Sequence, residues 1–316
     1  MDVRQLAAIV AVADHGTFSA AARALYTVQS NVSGHVAKLE RELGVTLIDR
    51  SGGGLTDEGE RVVERARRVL QEIDDIAADI ASLDDDISGD ARVGVIGTTG
   101  RWLMPQLLAS VGARHPRVHP IIVEGNTTSI VPAVLSGHLN VAIVHLPIDD
   151  PELLVEPLFA EDLFLLVPTS HPLRARLDGG DTLALHELHD VPLLLPPKGT
   201  ALRRVLDRAA SGVGMQLRAQ AEIDGVSLLS SLAIDGFGAA ILPATATPRE
   251  DDGRFVRVNV PELPRRVVAL IRRRRPASSA ATNAVIDILT GLTREHADAQ
   301  PGVHIGPGAF PAQRPN

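Results

Sequence analysis

The stretch Thr17-Phe18-Ser19-Ala20-Ala21-Ala22-Arg23-Ala24-Leu25-Tyr26-Thr27-Val28-Gln29-Ser30-Asn31-Val32-Ser33 decides the fold. Just upstream, Leu6, Ile9, Val10 and Ala13 recur at helical spacing, and His15-Gly16 ends that helix. Thr17-Phe18-Ser19 opens a short second helix running to Leu25, with Ala21, Ala22 and Leu25 facing inward. Thr27, a residue type that caps helices, opens a third helix from about Val28 to Leu43, which Gly44 closes. Val32, Val36, Leu39 and Leu43 mark the buried face of this third helix. Its outward face shows Ser30, Ser33, Gly34, Ala37 and Lys38, flanked by Gln29, Asn31 and His35. Three short helices, the third rich in outward amides and hydroxyls, describe a helix-turn-helix, because Gln and Asn suit bidentate contacts to adenine edges. A small helical bundle with a solvated polar face fits the same pattern, and spacing alone does not separate the two.

The residues themselves do. Phe18-Ser19-x-Ala21-Ala22-x-x-Leu25-x-x-x-Gln29-Ser30-x-Val32-Ser33 resembles the signature of LysR-type transcription regulators. The likeness continues through Leu39-Glu40-x-Glu42-Leu43-Gly44-x-x-Leu47-Ile48-x-Arg50 and Leu55-Thr56-x-x-Gly59. The resemblance implies a winged helix-turn-helix over residues 1–58 with Gln29, Ser30 and Ser33 at the DNA groove, Asn31, His35 and Lys38 beside them, and Arg50 and Thr56 in the wing near the backbone. Two features depart from the family. Gly34 stands where a basic residue is common, and the wing Ser51-Gly52-Gly53-Gly54 is short and lacks arginines. Both predict weaker phosphate contact and a shallower salt dependence.

With Thr56 or Asp57 as cap, a long helix begins next. Val62, Ala66, Val69, Ile73, Ile76, Ile80 and Leu83 follow alternating spacings of 4 and 3, an a/d seam with a period of 3.5. This predicts a linker and dimerisation helix with its hinge over residues 59–90, since two-fold symmetry is how a helix-turn-helix reads paired half-sites. The alternative is packing of the same stripe against its own chain. Residues 74–90 carry seven acids and no Lys or Arg, which marks the end of the helix and the hinge.

Beyond residue 90, short β-branched runs alternate with helical ones, the α/β signature. Four times a strand ends in a Gly/Thr/Ser turn that opens a helix: at Gly97-Thr98-Thr99-Gly100, Asn126-Thr127-Thr128-Ser129, Lys198-Gly199-Thr200 and Gly225-Val226-Ser227. Ligands of open α/β sheets bind outside the carboxyl ends of strands, where helix N-termini offer free N–H groups. Thr98, Thr99, Trp102, Thr127, Thr128, Ser129, Thr200, Gly225 and Val226 therefore line an expected crevice for a small polar or anionic effector. Taken singly, each hydroxyl is better explained as a helix cap; taken together they indicate a pocket. Leu103-Met104-Pro105, His115-Pro116, Gly137-His138-Leu139-Asn140-Val141-Ala142 and Gly236-Phe237-Gly238-Ala239-Ala240-Ile241-Leu242-Pro243 also resemble landmarks of the LysR effector-binding domain. That resemblance implies a periplasmic-binding-protein-like α/β domain over 91–295. Its subdomain I would cover about 91–167 plus 266–295 and its subdomain II about 168–265, with the crossing near Pro168. The run Arg272 to Arg275 reads as an exposed strand end, and residues 296–316, rich in Pro and Gly, as a disordered tail.

Composition bounds the rest. The net charge is −8 and residues 1–68 hold nine acids and nine bases, so charge gives DNA binding no support. Cys is absent, which fits a cytoplasmic chain and removes Cys metal sites and disulfides. Walker, nucleophile-elbow and H-E-x-x-H motifs are missing, so the chain reads as a regulator that is not an enzyme and needs no metal or cofactor. The expected partners are double-stranded promoter DNA, a second copy in a homodimer that the family resemblance extends to a homotetramer, the effector, and RNA polymerase as a further candidate; no membrane partner is expected.

Overall fold

The computed structural model describes residues 1–49, 54–81, 87–177, 180–249, 253–275, 278–306 and 308–310, with backbone only at 74, 75 and 77–81. It opens with helices α1 (Val3–His15), α2 (Phe18–Ala24) and α3 (Gln29–Leu43). Asp2 and Gln5 form a reciprocal capping box on α1, and Gly16 ends that helix with a left-handed φ of 73°. Thr17 caps α2 by accepting from the Ala20 N–H. Ala21 and Ala22 are small enough to let α2 press into a core of Leu6, Ile9, Val32, Val36 and Leu39. Leu25 and Leu43, expected inside, are exposed: each sits at a helix end, where the chain turns away from that core. The cap of α3 also differs from expectation. Val28 holds the N-cap position and offers no side-chain bond, while the Thr27 hydroxyl accepts from the Asn31 amide at 3.0 Å.

After α3 the Glu40 carboxylate accepts from the Leu47 and Ile48 N–H groups at 2.8 and 3.3 Å, tying the helix to the base of the wing. That base is an antiparallel bridge between Ile48 and Leu55. Arg50 and Ser51-Gly52-Gly53 lie outside the described residues. Helix α4 (Asp57–Ala81) follows, capped by Thr56, whose hydroxyl accepts from Gly59 N–H at 3.0 Å and donates to the Thr46 carbonyl at 2.7 Å. Gly59 is needed here: a Cβ would stand 2.0 Å from the Leu47 carbonyl oxygen.

The seam on α4 divides. Ala66 is buried and Val62 half-buried in the core of the head itself, so the first turns pack within the chain and do not await a partner. Val69, Ile73 and Ile76 then stand 44%, 40% and 63% exposed, a stripe this chain leaves uncovered. The Ile80 side chain and Leu83 lie outside the described residues.

The remaining chain builds two sheets. Strands β1 (Ser88–Ile96), β2 (Arg117–Gly125), β3 (Val141–His145) and β4 (Leu153–Glu161) enter the first, with α5 (Gly97–Arg114) and α6 (Thr127–Leu135) between them. Strands β5 (Leu163–Pro168), β6 (Pro192–Leu195), β7 (Arg218–Glu222), β8 (Ala239–Pro243) and β9 (Phe255–Asn259) form the second, with α7 (Ala201–Gly212) and α8 (Val226–Ile234). The chain returns to the first sheet through β10 (Arg266–Arg273), α9 (Ala280–Ala297) and β11 (Val303–His304). The orders are β11-β4-β10-β3-β1-β2 and β7-β6-β8-β5-β9. Val141–Val144 of β3 and all of β8 are buried, as unbroken apolar strands under helices on both faces should be. No helix among the described residues is long and apolar enough to cross a membrane.

Three expectations need revision. The crossing between sheets falls at Asp162, between β4 and β5, and not near Pro168, which ends β5. The arginine run is an exposed strand end only in part: Arg274 and Arg275 are exposed just past β10, whereas Arg272 pairs with Glu156 at 3.1 Å and the buried Arg273 donates to the Val134 carbonyl. The segment after α9 is not a disordered tail over its described part, because β11 adds an antiparallel strand to β4 at Glu161 and Ala160. Composition misled here: the segment is ordered by a few buried polar bonds, not by an apolar stripe. Gln300 is 3% exposed; its amide donates to the carbonyls of Ala244 (2.8 Å) and Thr247 (3.2 Å) and accepts from Arg249 (3.2 Å).

Two substitutions test these local accounts. Gln300→Ala removes a buried donor from the Thr247 carbonyl and one of three from the Ala244 carbonyl, and is expected to destabilise the two-sheet domain by about 1–3 kcal/mol, read from the denaturant midpoint. An unchanged midpoint would mean the segment does not brace the domain. Val28→Ser supplies the missing cap on α3 and is expected to stabilise the head by about 1 kcal/mol, read by amide exchange along that helix.

Candidate DNA interface and effector cleft

Helix α3 offers two exposed faces. Gln29, Ser30 and Ser33 share one with Gly34, where nothing lies within 4 Å of the site a Cβ would take. Gly34 therefore serves no packing need inside this chain. Asn31, His35 and Lys38 follow at helical spacing on the side facing the start of α1, where Lys38 lies 4.0 Å from Asp2 and the Asn31 amide is spent on Thr27. The structure thus brings Gln29, Ser30 and Ser33 together and sets Asn31, His35 and Lys38 apart. Thr56 has its hydroxyl consumed at both ends by the α4 cap. Tyr26, in the turn before α3, is 98% exposed with a φ of 52°, a contact candidate that helical spacing does not mark.

The second site is a cleft of about 550 Å³ between the two sheets. Strands β1, β2, β6 and β7 all end at it, and helices α5, α6, α7 and α8 begin there. Of the expected lining, Thr98, Thr127, Thr128, Thr200, Gly225 and Val226 meet the cleft. Thr99, Trp102 and Ser129 do not. Thr99 is fully buried, and Trp102 packs edge-on against Phe159 at 5.1 Å in the core. Ser129 is drawn into a capping box with Asn126. Capping also engages the Thr200 hydroxyl, which accepts from Arg203 N–H, and the Thr127 hydroxyl accepts from the His145 N–H of β3.

Residues that sequence patterning missed form a buried polar group at the cleft wall. Arg266 opens β10, and its guanidinium Nη2 meets His145 Nε2 at the end of β3. Its Nε lies 3.9 Å from Oε1 of Glu161, the last residue of β4, which is fully buried. The other Glu161 oxygen accepts from the Thr245 N–H (3.1 Å) and hydroxyl (2.7 Å). No spacing rule marks these residues, because each ends a different strand and only the sheet order joins them.

Burial holds His145 well below the ordinary imidazole value, and the neighbouring Arg266 charge pushes it the same way. The imidazole therefore stays neutral, with Nε2 as acceptor. The unfolded chain takes up a proton as pH falls through about 6.5 while the folded chain refuses it, so stability is lost below that pH. Burial shifts His138 and His171 the same way, so only a difference between proteins isolates His145. The fall in melting temperature from about pH 7.5 to about pH 5.5 is expected to be smaller in His145→Gln than in the parent. Equal falls would assign the loss elsewhere.

Comparison with known proteins matches both domains. The LysR substrate binding domain profile matches residues 84–294, and that of the bacterial regulatory helix-turn-helix protein of the lysR family matches residues 3–60. A probable hydrogen peroxide-inducible genes activator of Streptomyces viridosporus is 34% identical over 297 residues, covering 92% of this chain and 93% of that protein. The dual regulator OxyR of Escherichia coli is 29% identical over 283 residues, covering 86% and 90%. Among solved structures, a full-length OxyR of Pseudomonas aeruginosa with a cysteine replaced by aspartate superposes with a TM-score of 0.75 at 25% identity, covering 97% of this chain and 99% of that one. CbnR bound to its target DNA shares the fold, with a TM-score of 0.64 at 23% identity and coverage of 94% and 100%. With a helix-turn-helix head and a two-sheet domain both matched over nearly their whole length, the chain belongs to the LysR family of transcription regulators.

Proposed function

We propose that Gln29, Ser30 and Ser33 read base edges in promoter DNA, that Val69, Ile73 and Ile76 seat a second copy along α4, and that an effector in the cleft between the sheets sets the spacing of the paired heads. The observation that carries this reading is the cleft itself. It is walled by strand ends and helix starts from both sheets, so a ligand that contacts both walls favours one angle between them. A change of angle reaches DNA because half-site spacing is fixed by dimer geometry. Lys38 acts on phosphates. The chain works as a regulator in the cytoplasm, where its DNA is, and not as an enzyme.

Peroxide names recur among the relatives, and two of the solved ones carry mutated cysteines. These 316 residues hold no cysteine, so neither a sulfenic acid nor a disulfide can form. The cleft is accordingly read as a reversible binding site and not as a thiol switch.

DNA selected by the parent protein from a random pool supplies the test. Gln29→Ala or Ser33→Ala is expected to lower the preference for selected over random DNA by about 5- to 150-fold, the range for a lost base contact. Lys38→Ala should weaken both alike and reduce the salt slope by about 1. Equal loss on both DNAs in the Gln29 and Ser33 variants would reduce those residues to backbone contacts.

A further inference from the structure

Arg266 carries an unmet obligation at the cleft. Its side chain is only 9% exposed, yet Nη1 has no hydrogen-bond partner among the described residues. Its one acidic neighbour, Glu161, stands 3.9 Å off and spends an oxygen on Thr245, while His145 is neutral and brings no charge. A buried cationic donor left unpaired is costly, and an incoming carboxylate relieves that cost with a charge-assisted bond. One of the four helices that begin at the cleft points the same way. Helices α6 and α7 are capped by Asn126 and Thr200, whereas α5 and α8 start at Ile96 and Gly225 without a side-chain cap. Glu124 Oε1 already stands against Gly97 at the start of α5, so of the two it is the first turn of α8 that remains for an anion.

The mouth has the opposite character. Glu124 ends β2 on one wall and Asp224 follows β7 on the other; both are exposed, line the cleft and make no ion pair or hydrogen bond among the described residues. Two like charges on opposite walls repel a second negative charge on a ligand, and they repel each other as the walls approach. A cationic group between them removes both penalties.

We propose that the cleft takes a small zwitterion of the amino-acid class, its carboxylate inward on Arg266 and the first turn of α8, its ammonium outward between Glu124 and Asp224. The proposal rests on the reading of the cleft as the effector site and names the ligand chemistry. It also supplies a route to the hinge. Glu161 is the residue before the crossing, so a ligand that draws the Arg266 guanidinium toward the cleft alters its pairing at the point where the two sheets are joined.

The experiment is calorimetry on the full chain with glycine, β-alanine and 4-aminobutyrate, each beside its deaminated carboxylate (acetate, propionate, butyrate) and its decarboxylated amine, at one ionic strength. At one chain length or more the zwitterion is expected to bind about tenfold tighter than either partial analogue. Arg266→Gln should remove the advantage of the zwitterion over the amine. Glu124→Gln combined with Asp224→Asn, both at exposed positions, should remove its advantage over the carboxylate. The proposal is overturned if no probe binds, if the partial analogues match the zwitterion at every length, or if the Glu124/Asp224 variant keeps full discrimination. Footprints on selected DNA in the same samples separate the two readings: tight zwitterion binding with an unaltered footprint overturns the effector reading and leaves the ligand assignment in place.

Discussion

Asp162 is the residue on which the two-sheet domain turns. Its N–H donates to the Gly302 carbonyl at 2.8 Å and its own carbonyl accepts from Ala244 N–H at 2.9 Å. Its carboxylate takes Arg265 Nε at 2.9 Å and meets His304 Nε2 at 2.7 Å. One residue thus binds the first crossing between the sheets, the end of β8, the returning chain and the C-terminal segment. Peptide groups at a crossing lie outside both ladders, and partners must be found for them or the buried backbone goes unpaired. The residues after α9 supply those partners, with Gln300 serving the Ala244–Thr247 turn from the same side. A crossing pinned in this way restricts how the two sheets can move relative to each other. That is what a cleft of several hundred Å³ needs if closure on a small ligand is to change the angle between sheets in one direction only.

The link from this domain to the head is of another kind. Asp14, at the end of α1, pairs with Arg67 of α4 and lies 3.3 Å from His138 of the first sheet's helical layer. Arg92 donates to Gln71 at 3.0 Å, and Arg68 reaches Glu152 at 3.6 Å. Most of these side chains are partly exposed, and exposed ion pairs contribute about 0–1 kcal/mol each. The head is therefore held in place by contacts that a modest change elsewhere can outweigh. A net charge of −8 adds no general attraction to DNA, so the disposition of two heads, and not the field of the whole chain, must supply much of the affinity.

How far the residues reveal this depends on the distance over which each feature is encoded. The helix-turn-helix is local: spacing placed its three helices, and Gly16 and Gly44 ended α1 and α3 where the chain needs φ near 73° and 72°. The four turns that open the cleft are local too, since each joins a strand to the next helix. What escaped was set by tertiary neighbours. Trp102, expected at the cleft, is spent on Phe159, and Thr99, expected there too, is buried. His145, Glu161 and Arg266 carry no pattern, because the antiparallel return of β10 between β3 and β4 is what brings them together. The tail was misjudged because low apolar content argues for disorder only when no buried polar partner exists, and Gln300 and His304 find theirs at the hinge.

The α4 seam shows the same principle from the other side. A 3.5 period predicts a partner helix but cannot say which residues the chain covers itself. Ala66, and Val62 in part, go to the head core, which fixes the head rigidly to the start of α4; Val69, Ile73 and Ile76 stay exposed, the stripe proposed for a second copy. On the proposed reading one helix carries two interfaces in sequence, and their separation along its length sets how far each head stands from the dimer axis. Because α4 also touches β1, where Arg92 donates to Gln71, and α9, a change in the angle of the sheets would act on the same helix that packs into the head, as the proposed function requires. A rotation of a few degrees at one end of a 25-residue helix, at about 1.5 Å per residue, displaces the other by an ångström or more, enough to move base contacts out of hydrogen-bonding range.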